Sequence, residues 1–169
     1  PLDCLSSLQK RISTINKKVN ALVTLCFERA EVNAKKLMQR DIKERGMLQG
    51  LPVPIKDLND VSGVRCTSGS PIFKERIAQN SDILVKNIES KGGIIYAMTN
   101  TPEFGAGGST FNEIFGKTRN PWNTSLTPAG STGGGAAALA AGEIWLAHGS
   151  DHGGSLRRPA TYTSVVGLR

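Results

Sequence analysis

Pro128-Ala129-Gly130-Ser131-Thr132-Gly133-Gly134-Gly135-Ala136-Ala137-Ala138, followed after a gap by Gly149-Ser150-Asp151-His152-Gly153-Gly154-Ser155-Leu156-Arg157, holds 8 of the chain's 19 glycines between residues 130 and 154. Glycine loses more backbone entropy on folding than any other residue, so this density marks backbone that turns through positive φ or lies against something else. Two serines, Ser131 and Ser155, stand on these turns. The stretch predicts a helix over residues 132–141, a strand near 144–148, a tight Gly-Gly-Ser turn and a short helix from about Ser155.

N-terminal to this stretch, residues 51–55 form a short apolar run after Gly50 and read as a buried strand that delivers Lys56 and Asp57 at its end. Ser81 suits the N-cap of a helix reaching about Lys91, closed by Gly92-Gly93, after which residues 94–98 read as the next strand. Upstream, Leu5, Leu8, Ile12, Ile15, Val19 and Leu22 recur at helical spacing. A second helix is expected from about residue 22 to 45, ending at Gly46. Residues 1–47 are therefore expected to be an N-terminal helical arm, and residues 48–169 a core. Helices alternating with strands indicate an α/β fold, a central sheet covered by helices.

With 169 residues and 38% hydrophobic content, the chain is long enough to bury a core. The net charge of +7 comes from scattered Lys and Arg, and only 5% of residues are aromatic, so nucleic-acid binding is not expected. Cys4, Cys26 and Cys66 are odd in number and lack CxxC spacing, which argues against a disulfide framework or a zinc site and for reduced thiols. No apolar run approaches the ~18 residues of a membrane span. Cytoplasm is the expected location, with no metal and no cofactor.

A serine is a nucleophile only when a base can reach its proton. His152, beside Asp151 and three residues before Ser155, is one candidate, although three such close neighbours do not readily line up in series. The G-x-S-x-G elbow also fails, because Arg157 stands at its last glycine. Lys56 is a second candidate, since burial at an apolar strand end would depress its pKa. Activation by a helix N-terminus alone is the third. A nucleotide-binding module is the rival class, but Gly116-Lys117-Thr118 has Phe111 where a P-loop needs glycine, and no lysine follows Gly130–Gly135.

Read together, these segments resemble the amidase signature family. Gly50-Leu51-Pro52-Val53-Pro54-Ile55-Lys56-Asp57 is similar to its lysine motif. Thr99-Asn100-Thr101-Pro102-Glu103-Phe104 and Asn120-Pro121-Trp122 are similar to its connecting segments. The two glycine-rich stretches are similar to its serine motifs, in the family's order over roughly residues 48–169. The resemblance implies a mixed sheet covered by helices and a Ser-Ser-Lys triad: Ser155 the nucleophile, Ser131 after a cis peptide bond the proton bridge, Lys56 the base and acid. It implies hydrolysis of a small-molecule carboxylic amide through an acyl-enzyme, with backbone N–H groups of His152, Gly153, Gly154 and Ser155 holding the oxyanion.

Asp151 and Arg157 are expected to pair and brace the turn, and Thr132 to support Ser131 or cap the following helix. Asp57 is either an electrostatic partner of the lysine or a solvated strand end. Ala129 stands where the family commonly has glycine, Thr132 where it has a second serine, and His152 brings an imidazole to the pocket. Family members run to several hundred residues. The chain is thus expected to be the N-terminal portion of such a protein, with the remainder, a partner chain or a homodimer completing it, and to turn over little amide by itself. The alternative within the same fold is a non-catalytic component, or the amidase component of a transamidation complex, as in amidotransferases.

Overall fold

The computed structural model describes residues 1–169. Helix α1 (Leu2–Val19) buries Leu5, Leu8, Ile12 and Val19, one stripe at helical spacing. Asn20 closes it at φ 55°, and the Asn16 side chain then grips the exit: its Oδ1 accepts from the amides of Ala21 and Leu22, and its Nδ2 donates to the Leu22 carbonyl. This clamp redirects the chain into strand β1 (Leu22–Leu25), which is followed by helix α2 (Phe27–Met38). Residues 22–25 are therefore a strand and not the start of a helix, and the helix ends at Met38, short of the expected Arg45. Leu22-Val23-Thr24-Leu25 finds ladder partners on a neighbouring strand, and that pairing outweighs the helical pattern of the residues around it.

Strand β2 (Pro52–Lys56), helix α3 (Ile83–Ser90) and strand β3 (Ile94–Thr99) follow. The sheet order is β1-β3-β2, with β1 antiparallel and β2 parallel to the central β3. In register, Lys56 lies opposite Thr99. Every residue of β3 is buried, as its continuous apolar run requires of a strand covered on both faces. Ile94 and Tyr96 join a cluster with α1, α2 and Ala137 and Ala138, whereas Ile95 and Met98 join Val53, Ile55, Val61, Val64 and Val85 on the other face. The sheet is mixed and helix-covered, an α/β fold.

The N-cap of α3 is Asp82. Ser81, expected in that role, instead accepts from the Ser62 amide. A two-stranded ribbon, β4 (Phe111–Asn112) and β5 (Gly116–Lys117), precedes helix α4 (Gly133–Ala140) and helix α5 (Arg157–Thr163). Residues 144–148 form no strand: Ile144 enters the core, and the outward amide of Lys56 donates to His148 Nδ1 at 3.4 Å, so a side chain meets the sheet edge where a ladder was expected. Helix α4 packs backbone against backbone, because a Cβ on Gly134 would lie 2.5 Å from the Asn100 carbonyl oxygen. No helix is long and apolar enough to cross a membrane.

Candidate active site

Side chains alternate along a strand, so with Ile55 directed into the core beyond one face, Lys56 faces the other, toward the start of α4. The lysine is fully buried. Its ammonium nitrogen lies 2.7 Å from Ser131 Oγ, 3.0 Å from Thr132 Oγ1 and 3.0 Å from Ser150 Oγ. Burial lowers its pKa to about 8, against an opposing pull from the Asp151 carboxylate. His148, half-buried, is pushed down to about 4, first by desolvation and then by the lysine charge. It therefore stays neutral near pH 7 beside the lysine.

Ser131 and Thr132 are buried and lead into α4, and the peptide bond between Gly130 and Ser131 is cis. The Thr132 amide donates to the Ser155 carbonyl at 2.9 Å, tying the second serine turn to the first. Ser155 itself is half-buried. The hydrogen bonds of the site join Lys56 to Ser131, while the Ser131 and Ser155 hydroxyls make none to each other.

The turn is organised by Asp151, whose side chain is only 1% exposed. Its Oδ1 accepts from the Gly154 amide and an Arg157 guanidinium nitrogen, and its Oδ2 from the Leu156 and Arg157 amides and Arg157 Nε, at 2.8–3.1 Å. The guanidinium and these amides hold the carboxyl far below its ordinary pKa. Because Asp151 is engaged with Arg157, it does not form a triad with His152, whose side chain is exposed. Gly154 also leaves the expected oxyanion set, since its N–H is taken by Asp151. The amides of His152, Gly153 and Ser155 carry no internal acceptor.

Two supporting residues differ from expectation. Thr132 occupies the N-cap position but makes no side-chain cap; its hydroxyl serves the lysine and reaches the Ser150 carbonyl at 3.3 Å. Asp57 is neither solvated nor paired with the lysine: it is buried and accepts from the amide and hydroxyl of Thr67. Desolvation raises its pKa against those hydrogen bonds. Successive amides at the start of α4, those of Thr132, Gly133 and Gly134, are committed to Ser155 O, Thr110 Oγ1 and Asn100 O. They are not presented to a phosphate, which removes the basis of the nucleotide-binding rival.

Ser150 and His148 join the site without having been expected there. For Ser150 the available signal is arithmetical: a buried ammonium has three donors that need acceptors, and Ser131 and Thr132 supply two.

The Amidase family model matches residues 3–169. This chain belongs to the amidase signature family. It is 44% identical over 160 residues to the A subunit of the glutamyl-tRNA(Gln) amidotransferase of Shouchella clausii (strain KSM-K16), covering 95% of this chain and 33% of that one. Among solved amidases, a bacterial aryl acylamidase of the amidase signature family shares 32% identity over 94% of this chain and 34% of its own, with a TM-score of 0.85. The peptide amidase of Stenotrophomonas maltophilia shares 26% over 95% and 35%, with a TM-score of 0.87. The chain spans about a third of the length of these relatives.

Proposed function

We propose that this chain carries the reacting groups of an amide-cleaving enzyme, with Ser155 as nucleophile, Ser131 as proton bridge and Lys56 as base. The observation that carries the reading is a buried amine, lowered to about 8, at 2.7 Å from a buried hydroxyl. An amine so placed is largely neutral at mildly alkaline pH and can accept a proton.

In the first step Lys56 Nζ takes the Ser131 proton while Ser131 Oγ takes that of Ser155, and Ser155 Oγ attacks the amide carbonyl carbon. Negative charge on the carbonyl oxygen is received by the free amides of the 152–155 turn. As the C–N bond breaks, the proton returns through Ser131 to the departing nitrogen, leaving an ester on Ser155 and free ammonia or amine. Water, deprotonated by the same path, splits the ester to a carboxylic acid and restores the serine.

A transamidation role shares every step up to release of ammonia and differs only in where that ammonia goes. Its support is the 44% identity to a component of a glutamyl-tRNA(Gln) amidotransferase. Polypeptide beyond these residues, or a partner chain, belongs to the same proposal. Relatives are matched over only about a third of their length, and exposed Trp145, Leu146, Val166 and Leu168 line an apolar cleft of about 660 Å³ beside Thr132 and Gly149.

A serine-directed fluorophosphonate tests the reading without requiring a substrate. Labelling is expected at Ser155, abolished in Ser155→Ala and slowed at least ~100-fold in Lys56→Ala. Labelling that survives Ser155→Ala, or that ignores Lys56→Ala, overturns it.

A further inference from the structure

We infer that Ser150 is a positioning residue which, together with Thr132, aims the lone pair of neutral Lys56 at Ser131. The inference rests on Lys56 acting as the base.

An ammonium offers three N–H groups, and three hydroxyl oxygens surround Nζ at 2.7, 3.0 and 3.0 Å. The neutral amine has two N–H groups and one lone pair, so when Lys56 loses its proton one of the three contacts must reverse direction. Thr132 cannot be the one, because its own hydrogen is directed at the Ser150 carbonyl, leaving its oxygen as an acceptor toward the lysine. Ser150 lies at an exposed position, so its hydrogen has water to donate to, and its oxygen also accepts. Ser131 is 2% exposed and its hydroxyl has no other acceptor than Nζ. The Ser131 O–H therefore turns onto the lone pair, which is the alignment that proton abstraction from Ser131 requires.

Removing the Ser150 hydroxyl has two consequences of different kinds. The ammonium loses one of three acceptors, which lowers the lysine pKa further. The neutral amine loses one of the two sites that hold its N–H groups, so an N–H can rotate onto Ser131 and the lone pair is no longer directed. The charged and titratable neighbours, Asp151 and His148, are untouched by the change and act equally in both proteins.

The test is a pair of measurements on the 169-residue chain and its Ser150→Ala and Ser150→Thr variants. Carbon-13 NMR titration of the Lys56 side chain is expected to show a fall of about one pKa unit in Ser150→Ala and recovery in Ser150→Thr. The fluorophosphonate rate at Ser155 is expected to fall about 10-fold in Ser150→Ala at its high-pH plateau, where every lysine is already neutral, and to recover in Ser150→Thr. A change in protonation alone cannot lower that plateau, so the plateau reports the direction of the lone pair. An unmoved titration, or a plateau equal to that of the parent, overturns the inference. Labelling insensitive to Lys56→Ala instead overturns the base assignment, and the NMR titration still judges the Ser150 contact independently.

Discussion

Asp151 shows how one ionised side chain can shape a glycine-rich turn from within. Its two oxygens receive three backbone amides and a forked guanidinium, so the loop from Gly149 to Arg157 closes around a single carboxylate. With Gly154 N–H consumed in this way, the neighbouring amides of Gly153 and Ser155 are left to point elsewhere. Asp151→Asn keeps the shape but replaces one acceptor oxygen with a donor facing Arg157. It is expected to slow Ser155 labelling roughly 10- to 100-fold, as small misplacements of reacting groups do. Because Asp151 also supports the charged lysine, the titration of Lys56 moves to lower pH in the same variant. Unchanged labelling together with an unmoved lysine would refute the bracing role.

Among the elements, α4 matters most, since it carries Ser131 and Thr132 at its start and meets the end of β3 with no side chain between. A Cβ on Gly134 would lie 2.5 Å from Asn100 O and 2.8 Å from Ala21 O, both backbone atoms that cannot swing aside. Gly134→Ala therefore displaces the helix. The expected cost is about 1–3 kcal/mol of stability, the usual range for overpacking, with a loss of Ser155 labelling. Urea denaturation and the labelling rate check it, and a stable, fully reactive Gly134→Ala protein would contradict the account. The apolar run of β3 and the Ala-rich face of α4 were readable because one strand buried on both faces and one helix hydrophobic all round need only composition to be recognised. Strand β1 was not readable, because the edge of β3 that it pairs with lies far from it in sequence, and the Asn16 clamp that turns the chain toward that edge acts through a side chain.

Across the whole molecule, two buried titratable groups give stability opposite slopes with pH. Glu143 is fully buried and both its carboxylate oxygens lack partners, and burial raises it from 4.5 to about 7. Its protonated form is the one the fold accommodates, so its contribution is intact below about pH 4.5 and is lost as pH rises through about 7. Lys56, lowered from 10.5 to about 8, acts in the other sense: the native state is penalised for holding the ammonium below about pH 8, and the penalty lifts between there and 10.5. The combined contribution of these two groups is least favourable near pH 7–8, while His148, lowered from 6.5 to about 4, opposes the Glu143 slope below pH 6.5. Glu143→Gln is expected to remove the Glu143 contribution to the slope between pH 4.5 and 7 and to raise stability at pH 8 by about 1–3 kcal/mol. Urea titrations of both proteins at several pH values measure this directly, and a slope between about pH 5 and 7 identical in Glu143→Gln and the parent would exclude Glu143 as a contributor.

The sequence alone determined an α/β fold, buried strands at residues 51–55 and 94–98 that the structure sets at Pro52–Lys56 and Ile94–Thr99, and the membership of Lys56, Ser131 and Ser155 in one ordered set of motifs. These are local matters, written in apolar runs, glycine turns and their order. Tertiary structure decided what depends on partners distant along the chain: that residues 144–148 approach the sheet through His148 and not as a strand, that Asp57 turns to Thr67, and that Thr132 and Ser150 serve the lysine. The physical reason is the cost of burying an amine, whose hydrogens must find acceptors wherever the fold brings oxygen within reach.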